Sequence, residues 1–448
     1  MIPISRISFA EALRFWFKLG FVSFGGPAGQ IAIMHRELVE THRWISEKRF
    51  LHALNYCMVL PGPEAQQLAT YIGWLMHGTK GGIAAGALFV LPSLFILIAL
   101  SWIYLAFGNV PLVAGLLYGI KPAVTAIVLH AAWRIGGRTL KNSWLIAISV
   151  AAFTALFAFN VYFPIIILAA ALLGAIGGKL APDKFSIGGA HLAADNTSGI
   201  DAIIGDDTPT PPHALFRWSR FWLYVAVGIA LWLTGMALLI AHSGWDGTLA
   251  QMGWFFTKAA MLTFGGAYAV LPYVYQGAVE SYQWLTPQQM IDGLALGETT
   301  PGPLIMVVAF VGFVGGWTKQ ILGADYLFLA GALAAGVVTF FTFLPSFLFI
   351  LIGGPLIETT HGQLKFTAPL TAITAAVVGV IVNLAVFFAW HVWWPNSTQL
   401  TPFSGGFEWF AAVLTLAAAI ALFRFKLGVV TVIASCGLAG ILKMFIGF

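Results

Sequence analysis

The amino-acid sequence predicts an all-α polytopic membrane protein made of two inverted-topology repeats, with broken or re-entrant helices at Gly-Gly and Pro-Gly-Pro motifs. Three observations carry this. Of 448 residues, 59% are hydrophobic and only 9% charged, against about 25% charged in a soluble domain. Apolar runs of about 20 residues recur along the chain, long enough to cross a bilayer as helices, whereas a β-barrel would show short alternating segments. Finally, Pro-Gly-Pro occurs twice inside such runs, at 61–63 and 301–303. Proline removes a donor and clashes, so each triplet breaks its helix.

The two breaks belong to one repeat. Lys18, Phe24, Gly25, Gly26, Val39, Glu40, Trp44, Leu54, Pro61, Gly62 and Pro63 recur as Lys258, Phe264, Gly265, Gly266, Val279, Glu280, Trp284, Leu294, Pro301, Gly302 and Pro303, every pair 240 residues apart. After the second break the offset grows to 253, so that Leu91-Pro92-Ser93 matches Leu344-Pro345-Ser346 and Lys121 matches Thr374. In lipid, a helix break survives only where protein or a cavity surrounds it. Paired breaks in two halves point to a transporter's binding site.

Taken in order, residues 8–34 form an apolar element interrupted at Gly25-Gly26-Pro27, and 50–76 a second one interrupted at Pro61-Gly62-Pro63. Spans follow at 82–107, 110–133, 144–160 and 162–178, the second with Lys121-Pro122 at its centre. The stretch 181–215 carries Asp195, Asp201, Asp206, Asp207, His191 and "TPTPP", and reads as a solvated acidic tether rather than a metal site. An additional span lies at 218–241. The second repeat then adds its two broken elements and spans near 326–352, 366–390, 408–423 and 427–446. The domain plan is therefore 1–180, first transport repeat; 181–215, cytoplasmic linker; 216–448, connecting span and second transport repeat.

Charge placement orients the repeats. Loop 35–49 holds four Lys/Arg and its counterpart 275–289 none; loop 134–141 holds three and its counterpart 387–394 none. Cytoplasmic loops collect Lys and Arg, so the copies are expected to sit in opposite orientation, the span at 218–241 supplying the odd crossing. Three elements separate the two basic loops, which leaves them on opposite sides unless 8–34 and 50–76 turn back at their breaks; re-entrant hairpins are favoured over full crossings. The start "MIPISRISFAEALRFW" shows no removable signal peptide, and Cys57 and Cys436 stand alone without a disulfide or zinc pattern.

On "FVSFGGPAGQIAIMHRELVE", "LPGPEAQQLATYIGW", "TFGGAYAVLPYV" and "TTPGP", the chain resembles the chromate ion transporter family, as a long-chain, two-repeat member. The resemblance covers both halves outside the linker. It implies efflux of chromate, an oxyanion related to sulfate, across the bacterial cytoplasmic (inner) membrane by a multi-pass protein, giving chromate resistance. The partners expected are the oxyanion and the lipid bilayer, with no nucleic acid, and a homodimer is left open. Neither a cofactor nor a metal is expected. An anion channel, or a carrier of another oxyanion such as sulfate, is the alternative. A membrane enzyme is disfavoured by the lack of a nucleotide fingerprint, thiol pair or paired-histidine haem pattern.

An oxyanion needs donors, and helices restarting after Gly25, Gly26, Pro61, Gly62, Pro63, Gly265, Gly266, Pro301, Gly302 and Pro303 offer free N–H groups and a favourable dipole. The blander alternative is that these residues only permit kinks and close packing. Lys121 sits mid-span, where a lysine costs at least about 2.5–3.5 kcal/mol unless compensated. An anion is the favoured compensation, ahead of an internal salt bridge, with Thr374 as a hydroxyl donor opposite. Lys18 and Lys258 are a duplicated pair that either snorkels or contacts the anion. Glu64, directly after the first break, and Glu298, three residues before Pro301, are the proton-coupling candidates.

Overall fold

The computed structural model describes residues 7–24, 26–185, 202–206, 208–360, 367–396 and 403–446, and every regular element among them is helical. Gly25, His191, Asp195, Asp201 and Asp207 lie outside the described residues.

The first repeat opens with α1, Phe9–Val22, whose N-cap Ser8 accepts from the Glu11 amide. After a break at 23–25 come α2, Gly26–His35, and a π-helical turn, Arg36–Thr41. The next helix, α3, runs Glu47–Val59 behind the N-cap Ser46. Past the Pro-Gly-Pro lies α4, Glu64–Phe107, which is two helices: His77 and Gly78 are non-helical and divide it. A helix of 13 residues such as α3 is about 20 Å long, short of the roughly 30 Å hydrocarbon core. Membrane-length helices follow: α5, Pro111–Thr139, and α7, Phe163–Leu180, with the shorter α6, Ser143–Phe159, between them, and a final turn α8, Pro182–Phe185.

Trp218–Ser243 forms α9, an exposed helix packed on α10 and α14. The second repeat comprises α10, Thr248–Leu262; α11, Ala267–Tyr275; a π-helical turn, Gln276–Ser281; α12, Pro287–Thr299; a 3-10 turn, Leu304–Met306; α13, Val307–Thr318; α14, Leu327–Thr360; α15, Thr367–Trp393; α16, Trp409–Phe423; and α17, Val429–Ile446. Among the described residues seven helices are long and apolar enough to cross a membrane. This is a multi-pass, all-α membrane protein.

The local geometry of the broken elements is duplicated along with the sequence. The Trp44 amide donates to Leu38 at 2.8 Å and the Trp284 amide to Ala278 at 2.7 Å. Phe15 meets Trp44 edge-on at 4.9 Å, and Phe255 meets Trp284 edge-on at 5.7 Å. In the first copy, Arg49, near the start of α3, and Tyr71, within the first part of α4, both reach Glu358. Trp44, in the loop after α2, packs on Phe15 of α1, and the Ile7 carbonyl meets His77 Nε2 at 3.0 Å.

The halves are knitted together by exchange. Helix α5 of the first repeat packs on α16 and α17 of the second, and α15 of the second packs on α6 and α7 of the first. Small residues allow the approach: a methyl group added at Gly115 would lie 3.0 Å from the Ile441 Cα.

One part of the 181–215 tether is not free. Ile204 forms a parallel bridge with Ile45, Ser46 Oγ donates to Asp206 at 2.6 Å, and Arg49 Nη2 donates to the Thr208 carbonyl at 2.6 Å. These bonds seat Ile203, Ile204, Asp206 and Thr208 on the basic loop, where a solvated tether is expected from the sequence.

Candidate functional site

Each Pro-Gly-Pro turn is hydrogen-bonded to the Gly-Gly break of the other repeat, in a reciprocal pair. The Gly62 amide donates to the Thr263 carbonyl at 2.7 Å, and the Gly302 amide donates to the Ser23 carbonyl at 2.8 Å. Ser23 and Thr263 are themselves repeat counterparts, each just before its Gly-Gly. The structure thus brings all four breaks to one place, each Pro-Gly-Pro closed by the backbone of the other repeat. Gly62 (φ +125°) and Gly302 (φ +98°) occupy backbone conformations that L residues rarely adopt. Space is restrictive as well: a methyl group at Gly62 would lie 2.5 Å from Ser346 Oγ, and one at Gly302 would lie 2.9 Å from Ser93 Cβ.

The lining is chemically lopsided. Glu64, Gln66, Gln67 and Gln30 of the first repeat stand where the second repeat has Leu304, Met306, Val307 and Val270. Gln30 Nε2 bridges the breaks, donating to the Gly302 carbonyl at 2.5 Å and to the Ser23 carbonyl at 3.4 Å. Gln67 Nε2 donates to the Pro61 carbonyl at 2.8 Å. The Oε1 atoms of Gln30, Gln66 and Gln67 and the hydroxyls of Ser93 and Ser346 are buried without a hydrogen-bond partner in the protein. Buried polar groups are ordinarily hydrogen-bonded, so these five give this place an unusual density of polar atoms open to a further partner.

The acids take different positions. Glu64 is the first residue of α4, where the helix dipole favours a carboxylate. Glu298, on α12 just before the second break, is buried and accepts a short hydrogen bond from the Tyr268 hydroxyl of α11. Arg134 of α5 lies within electrostatic reach of this pair.

The lysines lie in three separate settings. Lys121 Nζ forms an ion pair with Asp292 Oδ1 of α12 at 3.2 Å, and Asp292 Oδ2 accepts from the Tyr104 hydroxyl at 2.9 Å. The partner of this mid-span cation in the protein is an internal carboxylate, the salt bridge that the sequence reading ranks second to a bound anion. Lys18 projects from the exposed face of α1, on the far side from buried Trp16 and Gly20. Lys258 lies over the Trp254 ring at 5.4 Å. Neither is gathered to the breaks in this structure. Thr374 borders the site: it lies beside Gly265, while its hydroxyl donates back to the Leu370 carbonyl at 2.8 Å.

Sequence reasoning missed Asp292, Tyr104 and Tyr268, and a second buried cluster in which Tyr71 donates to Glu358 at 2.5 Å with Arg49 at 4.0 Å. It noted the duplicated Leu-Pro-Ser only as register. That duplication, beside a proline that frees a carbonyl, was the available signal for Ser93 and Ser346.

Helix breaks from two halves, meeting at a buried polar centre within a multi-pass helical bundle, define the architecture of a membrane transporter. The comparisons give the family. A profile described as chromate transporter matches residues 10–175 and 250–441. The chromate transport protein of Pseudomonas aeruginosa is 32% identical over 441 residues, covering 97% of this chain and 92% of that protein. The probable chromate transport protein of Synechococcus elongatus is 29% identical over 384 residues, covering 85% and 84%. A chromate transport protein of Cupriavidus metallidurans is 28% identical over 383 residues, covering 85% and 82%. No solved structure matches the chain. The chain belongs to the chromate transporter family, and is a transporter rather than an enzyme.

Proposed function

We propose that this protein is a secondary transporter that exports chromate, or a closely related tetrahedral oxyanion, from the bacterial cytoplasm across the inner membrane, and so confers chromate resistance. The observation that supports it most is the reciprocal closure of the two Pro-Gly-Pro turns beside buried, unpartnered polar atoms. The substrate sits between these turns. Half-helix N-termini at Gly26, Glu64, Ala267 and Val307 supply positive dipole ends without a cation in the site.

The basic loop 35–49 and the linker 181–215 face the cytoplasm, and 275–289 faces the periplasm, following the Lys/Arg asymmetry. With a negative cell interior, each negative charge exported gains about 2.3 kcal/mol per 100 mV, so a dianion is driven outward without a nucleotide. Glu298 and Glu64 are the groups through which protons would couple. Uptake of labelled chromate into inside-out vesicles, with sulfate as competitor and an imposed potential, tests this reading. Saturable, potential-dependent uptake supports it; uptake equal to that of vesicles lacking the protein refutes it.

A further inference from the structure

Among the described residues, many helical hydroxyls are spent on their own helix. Thr339, Thr342, Thr374 and Thr415 each donate to the carbonyl four residues earlier, at 2.7–2.8 Å. This is the usual fate of a hydroxyl in an apolar helix. Ser101 of α4 does not share it, nor do Ser93 and Ser346, the two set against the Pro-Gly-Pro glycines. Both are buried, at 0% and 1% exposure, and neither Oγ has a partner in the protein. Each directly follows a helix-internal proline, Pro92 in α4 and Pro345 in α14.

Their placement is reciprocal. Ser93, of the first repeat, abuts Gly302 of the second; Ser346, of the second, abuts Gly62 of the first. Any larger residue at either glycine would fill the space in front of the hydroxyl. Gln67 Nε2 stands against the same face of Gly62 as Ser346 Oγ. The two serines are therefore matching donors, one from each repeat, held at the turns that the repeats close for each other.

We infer that Ser93 and Ser346 are the side-chain donors that bind the transported oxyanion. This inference rests on the oxyanion reading above. A fully deprotonated tetrahedral dianion offers acceptors in every direction, so a hydroxyl from each repeat can donate to it while adding no charge that would hinder release. Neither hydroxyl has a partner within the protein, and the anion's oxygens would supply acceptors for both. Neutral donors also set the substrate class: chromate and sulfate can accept from both serines.

The test is equilibrium binding of radiolabelled chromate to the purified full-length protein, with unlabelled sulfate as a redox-inert competitor, alongside thermal unfolding without ligand. Ser93→Ala and Ser346→Ala are each expected to raise Kd about tenfold, and the double variant roughly a hundredfold, as for hydrogen bonds to a charged group. Because alanine removes an orphan buried hydroxyl, the unfolding midpoint without ligand is expected to stay level or rise. Both single variants binding within about twofold of the native protein would overturn the inference, as would lost binding accompanied by a falling midpoint, which would make the hydroxyls structural. Failure of the native protein to bind either anion would show in the first titration and would remove the oxyanion reading together with this one.

Discussion

Lys121 on α5 and Asp292 on α12 face each other across the repeat boundary, Nζ to Oδ1 at 3.2 Å, with the Tyr104 hydroxyl on the other carboxylate oxygen. The side chains are largely buried, at 18% and 5% exposure. Breaking such a pair strands a buried charge and costs roughly 3–5 kcal/mol, whereas removing both charges together is nearly neutral. Lys121→Ala and Asp292→Asn are each expected to lower the unfolding midpoint sharply. The double variant Lys121→Met, Asp292→Leu is expected to recover it and to bind chromate with near-native affinity. A well-folded double variant that has lost chromate binding would instead put Lys121 on the substrate.

Gly62 and Gly302 are expected to tolerate no side chain. Strain at their positive φ alone costs about 1–3 kcal/mol, and the added methyl groups meet Ser346 and Ser93. Gly62→Ala and Gly302→Ala should each reduce transport to background, even in preparations that still insert. Flux from either variant at half the native rate or more would show that the turns have slack.

Protonation of Glu298 removes a negative charge beside the second break, so anion entry is expected to rise as pH falls. Glu298→Gln should hold transport near its low-pH rate and flatten the profile. Tyr268→Phe, which deletes the hydrogen bond to Glu298, should shift the profile without abolishing it. An unchanged pH profile in both Glu298→Gln and Glu64→Gln would take proton coupling away from these acids.

Opposite orientation of the repeats is tested by labelling. With Cys57 and Cys436 replaced by alanine, single cysteines at Glu40 and Glu280 are expected to react with an impermeant reagent from opposite faces of the membrane. Reaction of both from one face would contradict the inverted arrangement.

Much of this was readable from the chain because it is local. Pro-Gly-Pro breaks a helix whatever surrounds it, and Trp44 with Trp284, or Gly26 with Gly266, reveal a duplication without any knowledge of packing. The pairings were not readable, because they join residues far apart in sequence. Asp292 sits in "QQMIDGLALGE", where an aspartate near a helix start looks like ordinary polar trim; only the packing of α12 on α5 makes it the partner of Lys121. Arg49 counts in sequence as one more basic loop residue, yet it reaches Glu358, more than 300 positions away. Ser93 and Ser346 look like the many hydroxyls that bond back within an apolar helix. Their lack of a partner emerges only when the opposite glycines are in place.

In this mechanism an oxyanion passes between the two Pro-Gly-Pro turns. Chromate flux in oriented vesicles, measured for the native protein and for Ser93→Ala, Ser346→Ala under the same potential, tests it most directly. Saturable, sulfate-inhibited chromate flux is expected in the native protein, and in the double variant a KM at least tenfold higher with the same amount of inserted protein. Native flux with an unchanged KM in the double variant, or no chromate flux in the native protein, would contradict it.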